Sequence, residues 1–380
     1  MKRILFFINQ IPPYRIPFFN QLIENLKTQY KIDFIVTHEQ NIPKEFKGEI
    51  LKTIIIGHGK YRILPFSWKF INRYELIITL PIDPLHLLDN LIIFLTCLFL
   101  KKPYIVWTIR WEYKHLPLKD KVSLIFYKKI LKKAKAIIIP GKKSYEWLEK
   151  IGIEKQKIFF APNVSLKFPE EKHIKKLKSK IIKKYRLKEK KIILFVGRLI
   201  KRKGITFLID AFSKISEKNL VLMIVGGKDF YKLGEKDILT EIKEKIRKNN
   251  LKNIFLIGKV QNKDLPAYYE IADVFVMPSI TEKISEPWGL VLNEAMQFGL
   301  PVIATDAVGA AYDLIKPGIN GYIVKEKDAN ALAEAIKKII KSKKKEKMGE
   351  ISKRIILKGY TYKHMVNGFI KAIKFVFEEE

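Results

Sequence analysis

The chain has 380 residues, of which 48% are hydrophobic and 12% aromatic, enough apolar material for two domains of ordinary size. That composition excludes an intrinsically disordered protein. The single cysteine, Cys97, excludes an intramolecular disulfide and a cysteine metal cluster, so a reducing, cytoplasmic compartment is the simple interpretation. The 73 Lys and Arg residues against 39 Asp and Glu give a formal net charge of +34, which favours anionic partners.

Three kinds of anionic partner fit this charge: a membrane surface, nucleic acid or a phosphorylated substrate. Nucleic acid is not expected, because recognisable aromatic RNA-binding motifs are missing. Peripheral attachment to the inner face of a membrane and a purely compositional origin of the charge both stay open. The apolar run at 91–100 is half as long as the roughly twenty residues that a membrane span needs. We predict a buried helix there, with an interfacial membrane patch as the alternative.

The N-terminal part alternates short apolar segments with helical or basic stretches. A strand is predicted at 3–8 instead of a signal-peptide core, and further strands are predicted at 32–36, 51–56, 75–80, 104–107 and 136–139. This alternation indicates βα units and a mostly parallel sheet in a first domain at 1–165. The loop after the first strand contains Pro13, Tyr14 and Arg15 at the sheet edge where open α/β folds bind ligands. A rigid turn before a helix is the alternative interpretation.

A lysine-rich segment at 166–190 is predicted to be a basic linker, and a second domain is predicted at 191–360. This domain begins with the sequence KIILFVGRLIKRKG. Its first strand ends at Gly197, and Arg198 and Lys203 lie in the following loop, where they are placed to neutralise a diphosphate. Lys201 and Arg202 of the same loop are expected to be solvated. The glycine spacing matches neither a GxGxxG nor a Walker loop, which excludes dinucleotide and NTPase sites here.

Residues 274–306 contain two predicted strands that flank a helix at 289–298. Glu286 precedes this helix and Glu294 lies in its second turn, at the same sheet edge as Arg198 and Lys203. The first backbone N–H groups of the helix suit a phosphate, and the two carboxylates suit the hydroxyls of a polyol. A sugar diphosphate carries both kinds of group in one ligand. The alternative is that both glutamates are surface charges. The residues that present the N–H groups are Trp288, Gly289 and Leu290.

The arrangement of Glu286 and Glu294 within SEPWGLVLNEAMQFGLPVIATD, with GRLIKRKG upstream, resembles glycosyltransferase family 4, a group of retaining enzymes that use nucleotide sugars. The resemblance is good at 192–336 and loose before that. It implies an α/β fold of two Rossmann-like domains that face a central cleft, the GT-B arrangement. The acceptor is then expected in the first domain and the donor in the second, with a C-terminal helix at 361–380 packing back on the first domain.

The resemblance also implies roles for single residues. Arg198 and Lys203 would contact the diphosphate, Glu286 would position the hexose and Glu294 would bind the ribose hydroxyls. The nucleotide pocket would be lined by the glycine turns and strand ends at Gly197, Gly226 and Val260. No cofactor and no metal ion are expected, because an Asp-rich metal motif is missing and basic residues are available to neutralise the phosphates.

The first domain departs from the family pattern. Many members have a histidine after the strand at 104–107, whereas this chain has Arg110 and Glu112 there and His115 a few residues later. We predict Arg110 and Glu112 as contacts of the reacting groups, with an interdomain structural role as the alternative.

The resemblance therefore implies transfer of a hexose from a nucleoside-diphosphate sugar to a glycan or a polyprenyl-linked or other lipid-linked acceptor, in the synthesis of a cell-surface polysaccharide or glycolipid. A sugar-nucleotide epimerase of the same architecture is one alternative. A basic polyanion-binding protein is the other, and it would bind nucleic acid in a salt-sensitive way without responding to nucleotide sugars.

Overall fold

The computed structural model describes residues 1–36, 43–51, 68–79, 87–111, 118–165, 168, 172–227, 238–282 and 284–378. It divides into two compact units, Met1–Val164 together with Thr361–Glu380, and Ser165–Tyr360. Each unit is built on a sheet whose described strand pairs are all parallel, with helices between the strands. The predicted fold class of two Rossmann-like α/β domains is confirmed.

The first unit has a seven-stranded sheet in the order β3-β2-β1-β4-β5-β6-β7. The strands away from the two edges of this sheet are mostly buried on both faces, as parallel strands covered by helices usually are. The strands are β1 Lys2–Ile8, β2 Tyr30–Val36, β3 Glu49–Ile50, β4 Leu76–Thr79, β5 Tyr104–Trp107, β6 Ala136–Ile139 and β7 Ile158–Phe160. The helices between them are α1 Ile16–Leu26, α2 Trp68–Ile71, α3 Leu87–Phe99, α4 Leu118–Lys133 and α5 Lys142–Lys150.

The second unit has a six-stranded sheet in the order β10-β9-β8-β11-β12-β13. The strands are β8 Lys191–Val196, β9 Leu220–Val225, β10 Ile254–Gly258, β11 Val274–Met277, β12 Val302–Thr305 and β13 Gly321–Val324. The helices are α6 Lys172–Lys184, α7 Ile205–Ser213, α8 Leu239–Lys248, α9 Leu265–Ile271, α10 Leu290–Gln297, α11 Ala311–Leu314, α12 Ala329–Ile340 and α13 Lys345–Gly359. The strand order reverses at β8, because β9 and β10 lie on one side of it and β11 to β13 lie on the other. In open α/β sheets a crevice forms at such a reversal, here between the loops that follow β8 and β11.

The lysine-rich segment at the start of the second unit packs differently from what its charge suggests. Residues 166–190 are not simply a basic linker, because they include α6, whose Ile174 and Ile181 are buried in the core of the second unit. Lys178 on the same helix pairs with Glu270 at 3.4 Å. The apolar positions recur every three to four residues, but the many lysines between them hide that period.

The C-terminal helix α14, Tyr362–Glu378, belongs to the first unit. Its Phe369 is fully buried, and the ring lies 4.7 Å from that of Phe18 and 4.9 Å from that of Trp107. Tyr362 donates a hydrogen bond to the carbonyl of Tyr14 at 2.7 Å. These contacts fix the last helix against α1 and the sheet.

The apolar run at 91–100 forms the later part of α3 up to Phe99, and the prediction of a buried helix is right for only one of its faces. Ile93 and Cys97 are buried against the sheet, whereas Leu95, Leu98 and Phe99 are exposed. In the described part of the chain no helix combines the length and the apolar character needed to cross a bilayer.

Candidate functional site

The loop after β8 and the loop after β11 are joined directly at the carboxyl edge of the second sheet. Gly204 has φ +65°, and a Cβ on it would lie 1.8 Å from the carbonyl oxygen of Pro278. The N–H of Ile280 donates to the carbonyl of Arg202 at 2.8 Å. Only glycine accommodates both this backbone conformation and this close approach. The two loops therefore hold their side chains in a fixed relation to each other.

Glu286 lies at the centre of these loops. Its Oε2 accepts hydrogen bonds from Arg202 Nη1 and Lys203 Nζ, each at 2.7 Å, and its side chain is only 11% exposed. The backbone of Glu286 is fixed as well, because its N–H donates to the carbonyl of Ala307 at 2.9 Å and its carbonyl accepts from Gly309 at 3.0 Å. The carboxylate of Glu286 is therefore not a free surface charge in this structure, because two cations of the neighbouring loop hold it.

The charge state of Glu286 follows from these neighbours. Burial by itself would raise the pKa of this carboxyl, but the charges of Lys203, Arg202 and Arg198 outweigh burial and lower the pKa to about 2. Glu286 is therefore ionised throughout the neutral range. The structure brings Arg198, Lys203 and Glu286 together, and it adds Arg202, which was expected to be solvated.

The neighbouring lysine behaves differently from Arg202. Lys201 is 65% exposed and pairs with Glu282 at 3.3 Å, as expected for a solvated charge. Within the sequence KRK, only the second and third side chains turn towards Glu286. Lys201–Lys203 form one turn of 3-10 helix, so the side chain of Lys201 leaves the backbone in a different direction from the other two.

Gly289 is the N-cap residue of α10 and has φ +94°. A Cβ at this position would lie 2.6 Å from Cε of Met277, so packing and backbone conformation both require glycine. Trp288 is buried, and its Nε1 donates to Oδ1 of Asn293 at 2.9 Å. Its indole therefore supports the helix start, and anion binding by the backbone N–H groups of Trp288, Gly289 and Leu290 stays a prediction.

Glu294 lies in the second turn of α10, and its Oε2 accepts a hydrogen bond from the hydroxyl of Tyr269 at 2.8 Å. Tyr269 is fully buried, and its ring stacks on Phe298 at 5.3 Å. Burial raises the pKa of Glu294 to about 7, although the hydrogen bond from Tyr269 acts in the opposite direction. The two glutamates thus differ strongly in their affinity for a proton.

We expect the raised pKa of Glu294 to make stability fall with rising pH. The folded pKa of about 7 is above the ordinary 4.5, so the folded protein holds this proton more tightly than the unfolded chain does. The stabilisation is present at low pH and is lost as the pH rises through 7. Between about pH 5 and pH 8, the free energy of unfolding of the wild type should fall by about 2 to 3 kcal/mol relative to Glu294→Gln. Urea unfolding of both proteins at the two pH values measures this difference, and parallel curves would contradict the assignment.

The remaining donor-site candidates lie along the carboxyl edge of the same sheet. The N–H of Gly197 donates to Val225 at 3.0 Å, and that of Gly226 donates to Gly258 at 2.9 Å. A Cβ on Gly226 would lie 1.8 Å from the carbonyl oxygen of Gly197, so these strand ends approach each other too closely for a larger residue. Val260 is partly buried and packs on the core of the second unit beyond the end of β10. Their nucleotide-binding roles stay predictions.

The first-unit candidates lie after β1 and β5. Pro13 to Arg15 form a 3-10 turn, and the guanidinium of Arg15 lies 4.2 Å from the ring centroid of Trp107. The N–H of Arg110 donates to Thr108 Oγ1 at 3.3 Å. Glu112 lies outside the described residues. The catalytic and acceptor-binding roles of these residues stay predictions, as does the expectation that no metal ion is needed.

The second unit is a parallel α/β unit in which Arg198, Arg202 and Lys203 surround Glu286 where the strand order reverses. The model of the family described as "Glycosyl transferases group 1" matches residues 178–355, which include every residue of this site. The chain is 34% identical over 218 residues to an uncharacterized 41.2 kDa protein in the cps region of Klebsiella pneumoniae, covering 57% of this chain and 55% of that protein. It is 35% identical over 153 residues to an uncharacterized glycosyltransferase of Methanocaldococcus jannaschii, covering 40% of this chain and 36% of that protein.

The whole fold is also found among solved structures. HepE of Anabaena, solved in complex with UDP and glucose, has a TM-score of 0.73 and 17% identity, over 98% of this chain and all of that one. At this identity the likeness shows the fold. The matched sequence segments span about half or less of the length of the two curated relatives.

Proposed function

We propose that this protein is a retaining glycosyltransferase that moves a hexose from a nucleoside-diphosphate sugar to a glycan or lipid-linked acceptor. The observation that carries the proposal is the buried Glu286 carboxylate, held by Arg202 and Lys203 beside Arg198 where the strand order reverses. The family match over 178–355 and the fold shared with HepE support it.

The basic residues supply what departure of a nucleoside diphosphate requires. Negative charge grows on the diphosphate as the bond to the sugar breaks, and fixed cations and helix N–H groups lower the energy of that charge. In this proposal, Lys203 and Arg198, together with the backbone at Gly289 and Leu290, perform this task. A metal ion is not needed for the charge balance in this proposal.

The low pKa of Glu286 selects its role in the reaction. A carboxylate with a pKa of about 2 does not act as a general acid near neutral pH. It acts as a permanent acceptor of hydrogen bonds, which suits the hydroxyl groups of the donor hexose. When the diphosphate binds, it takes over part of the interaction with Lys203 and Arg202, and Glu286 then turns its acceptor capacity to the sugar.

The other groups complete the donor and acceptor sites of the proposal. Ionised Glu294 accepts hydrogen bonds from the ribose hydroxyls, and the strand ends at Gly226 and Val260 line the base. Arg15 and Arg110 of the first unit are proposed to meet the acceptor. Synthesis of a cell-surface polysaccharide or glycolipid in the cytoplasm is the process that fits a glycan or lipid-linked acceptor.

An epimerase of the same fold is not favoured, because the matched family model describes glycosyl transferases. Product analysis separates the two, since a transferase releases free nucleotide whereas an epimerase yields a new sugar nucleotide. The polyanion-binding alternative does not explain the buried, ion-paired Glu286. A surface that binds polyanions needs exposed cations, whereas here a carboxylate neutralises two of them.

The experiment is nucleotide release by the purified chain with UDP-, GDP- and ADP-sugars, in the presence of candidate glycan and polyprenyl-phosphate sugar acceptors. We expect release from one donor class, with UDP-sugars tested first because the HepE structure contains UDP. The Arg198→Ala/Lys203→Ala variant should lose release, and Lys201→Ala should keep it. No release, together with no thermal stabilisation by any nucleoside diphosphate, would contradict the proposal.

A further inference from the structure

The first unit carries apolar side chains on the outer face of α3. Leu95, Leu98 and Phe99 recur at the spacing of one helical face, and Phe99 is 80% exposed. Ile93 and Cys97 of the same helix are buried against the sheet, so both sides of α3 are apolar. An exposed phenylalanine beside two leucines is unfavourable in water and suits a partner that is itself apolar.

Helix α4 presents a similar face that changes to basic along its length. Val122, Ile125 and Phe126 are exposed in its first half, with Ile125 at 56% exposure. Lys129, Lys132 and Lys133 are exposed on the same side in its second half. The helix therefore exposes apolar residues at one end and positive charge at the other, and interfacial membrane helices likewise bind through apolar side chains together with Lys and Arg.

The two helices cover the same side of the first sheet. They lie in successive β4-α3-β5 and β5-α4-β6 crossovers, which place both on one face when their handedness is the usual one. Tyr104 of β5 contacts both, because its ring packs edge-on to Phe94 of α3 at 5.8 Å and its hydroxyl donates to the carbonyl of Ile130 of α4 at 2.8 Å. The exposed faces of α3 and α4 are thus parts of one surface.

A basic cavity of about 610 Å³ adjoins α4. Four lysines from α4 and α5 line it against a single carboxylate, Glu146, which pairs with Lys143 at 2.8 Å. Two indoles complete it, and that of Trp147 stacks on Tyr127 at 6.1 Å. Lysine ammonium groups bind phosphate, and tryptophan is favoured at the membrane interface. The lysines and indoles of the cavity are Lys128, Lys132, Lys143, Lys150, Trp111 and Trp147.

We propose that the outer face of α3 and α4 with this cavity docks the protein on an anionic phospholipid bilayer. The apolar residues enter the interface, and the lysines bind lipid phosphate groups. A second copy of the chain fits this surface poorly, because the same lysines would then face each other. The proposal goes beyond glycosyl transfer, and its test needs no enzymatic activity.

The first test is sedimentation of the full chain with vesicles of phosphatidylcholine alone and with about a third phosphatidylglycerol. We expect binding to the anionic vesicles that weakens with salt, and little binding to the neutral ones. Phe99→Ser/Ile125→Ser and Lys128→Glu/Lys132→Glu should each weaken binding about tenfold or more. The matched control is Ile319→Ser/Leu357→Ser, which removes exposed apolar residues from the second unit and should bind as the wild type does.

Three results would overturn the proposal. The wild type could show no binding to anionic vesicles, the α3–α4 variants could bind as tightly as the wild type, or the control variant could lose as much binding as the α3–α4 variants do. If the wild type self-associates without binding vesicles, and Phe99→Ser/Ile125→Ser abolishes the self-association, the surface binds a second copy of the chain and the proposal is overturned. Gel filtration of each variant distinguishes that case.

The second test places a fluorescent reporter on the surface. Cys97 is the only cysteine and is buried, and burial raises the pKa of its thiol to about 12, so it reacts slowly with thiol reagents. Ile125→Cys labelled with an environment-sensitive dye should shift to the blue with anionic vesicles, whereas Leu357→Cys should not. Identical responses at the two positions would contradict a membrane contact through α4.

Discussion

Lys203→Ala is expected to lower kcat for the proposed hexose transfer by about 10²- to 10³-fold, the usual effect of removing one fixed group that stabilises developing charge. Lys203 Nζ lies 2.7 Å from Glu286 Oε2 and is only 12% exposed, so its charge is held in place before the donor arrives. The loss should appear in kcat more than in KM, because charge on the diphosphate is larger in the transition state than in the ground state.

The chain offers a matched control two residues earlier. Lys201→Ala removes the same charge from the same loop, but Lys201 is exposed and pairs with Glu282 instead of Glu286. We expect its kinetics to match the wild type within about twofold, since a surface ion pair contributes little. Equal losses in Lys203→Ala and Lys201→Ala would mean that net charge, and not the position of Lys203, supports the reaction.

Gly204→Ala should destabilise the protein by about 3 kcal/mol or more and abolish nucleotide release. The residue has φ +65°, and its new Cβ would lie 1.8 Å from the backbone oxygen of Pro278. Backbone must move to relieve that contact, and the loops that carry Lys203 and Glu286 would separate. Urea unfolding and the nucleotide-release assay measure the two effects.

Gly318→Ala is the control that distinguishes the cost of a positive φ from the cost of a steric clash of the new Cβ. Gly318 has a similar φ of +75°, but no described atom lies within 4 Å of a Cβ placed there. Its cost should be about 1 kcal/mol, the value for an alanine in the left-handed region, with activity retained. If Gly204→Ala were no more harmful than Gly318→Ala, the close junction of the two loops would be unimportant for the site.

The sequence predicted the fold class and the group of charges at the site for physical reasons. Short apolar segments alternating with helices leave few options besides parallel α/β units. Arg198, Lys203 and Glu286 follow strands that are neighbours in the sheet, so their convergence could be expected from the order of the elements. The resemblance to glycosyltransferase family 4 added their expected roles.

Other features depend on the packing of distant parts of the chain. Arg202 pairs with Glu286 and Lys201 does not, and the letters KRK do not reveal which side chains turn inward. The hydrogen bond from Tyr269 to Glu294 joins two helices, and the resulting pKa depends on burial that composition does not show. In α6, frequent lysines concealed the buried positions of Ile174 and Ile181.

In the proposed function, Lys203 and its neighbours bind the second phosphate of a nucleotide donor. Calorimetric titration with the nucleoside diphosphate and monophosphate of the base identified by the release assay tests it directly. We predict that the diphosphate binds at least about tenfold more tightly to the wild type and to Lys201→Ala, and that Lys203→Ala loses this preference. Equal affinities of the wild type for diphosphate and monophosphate would contradict the account.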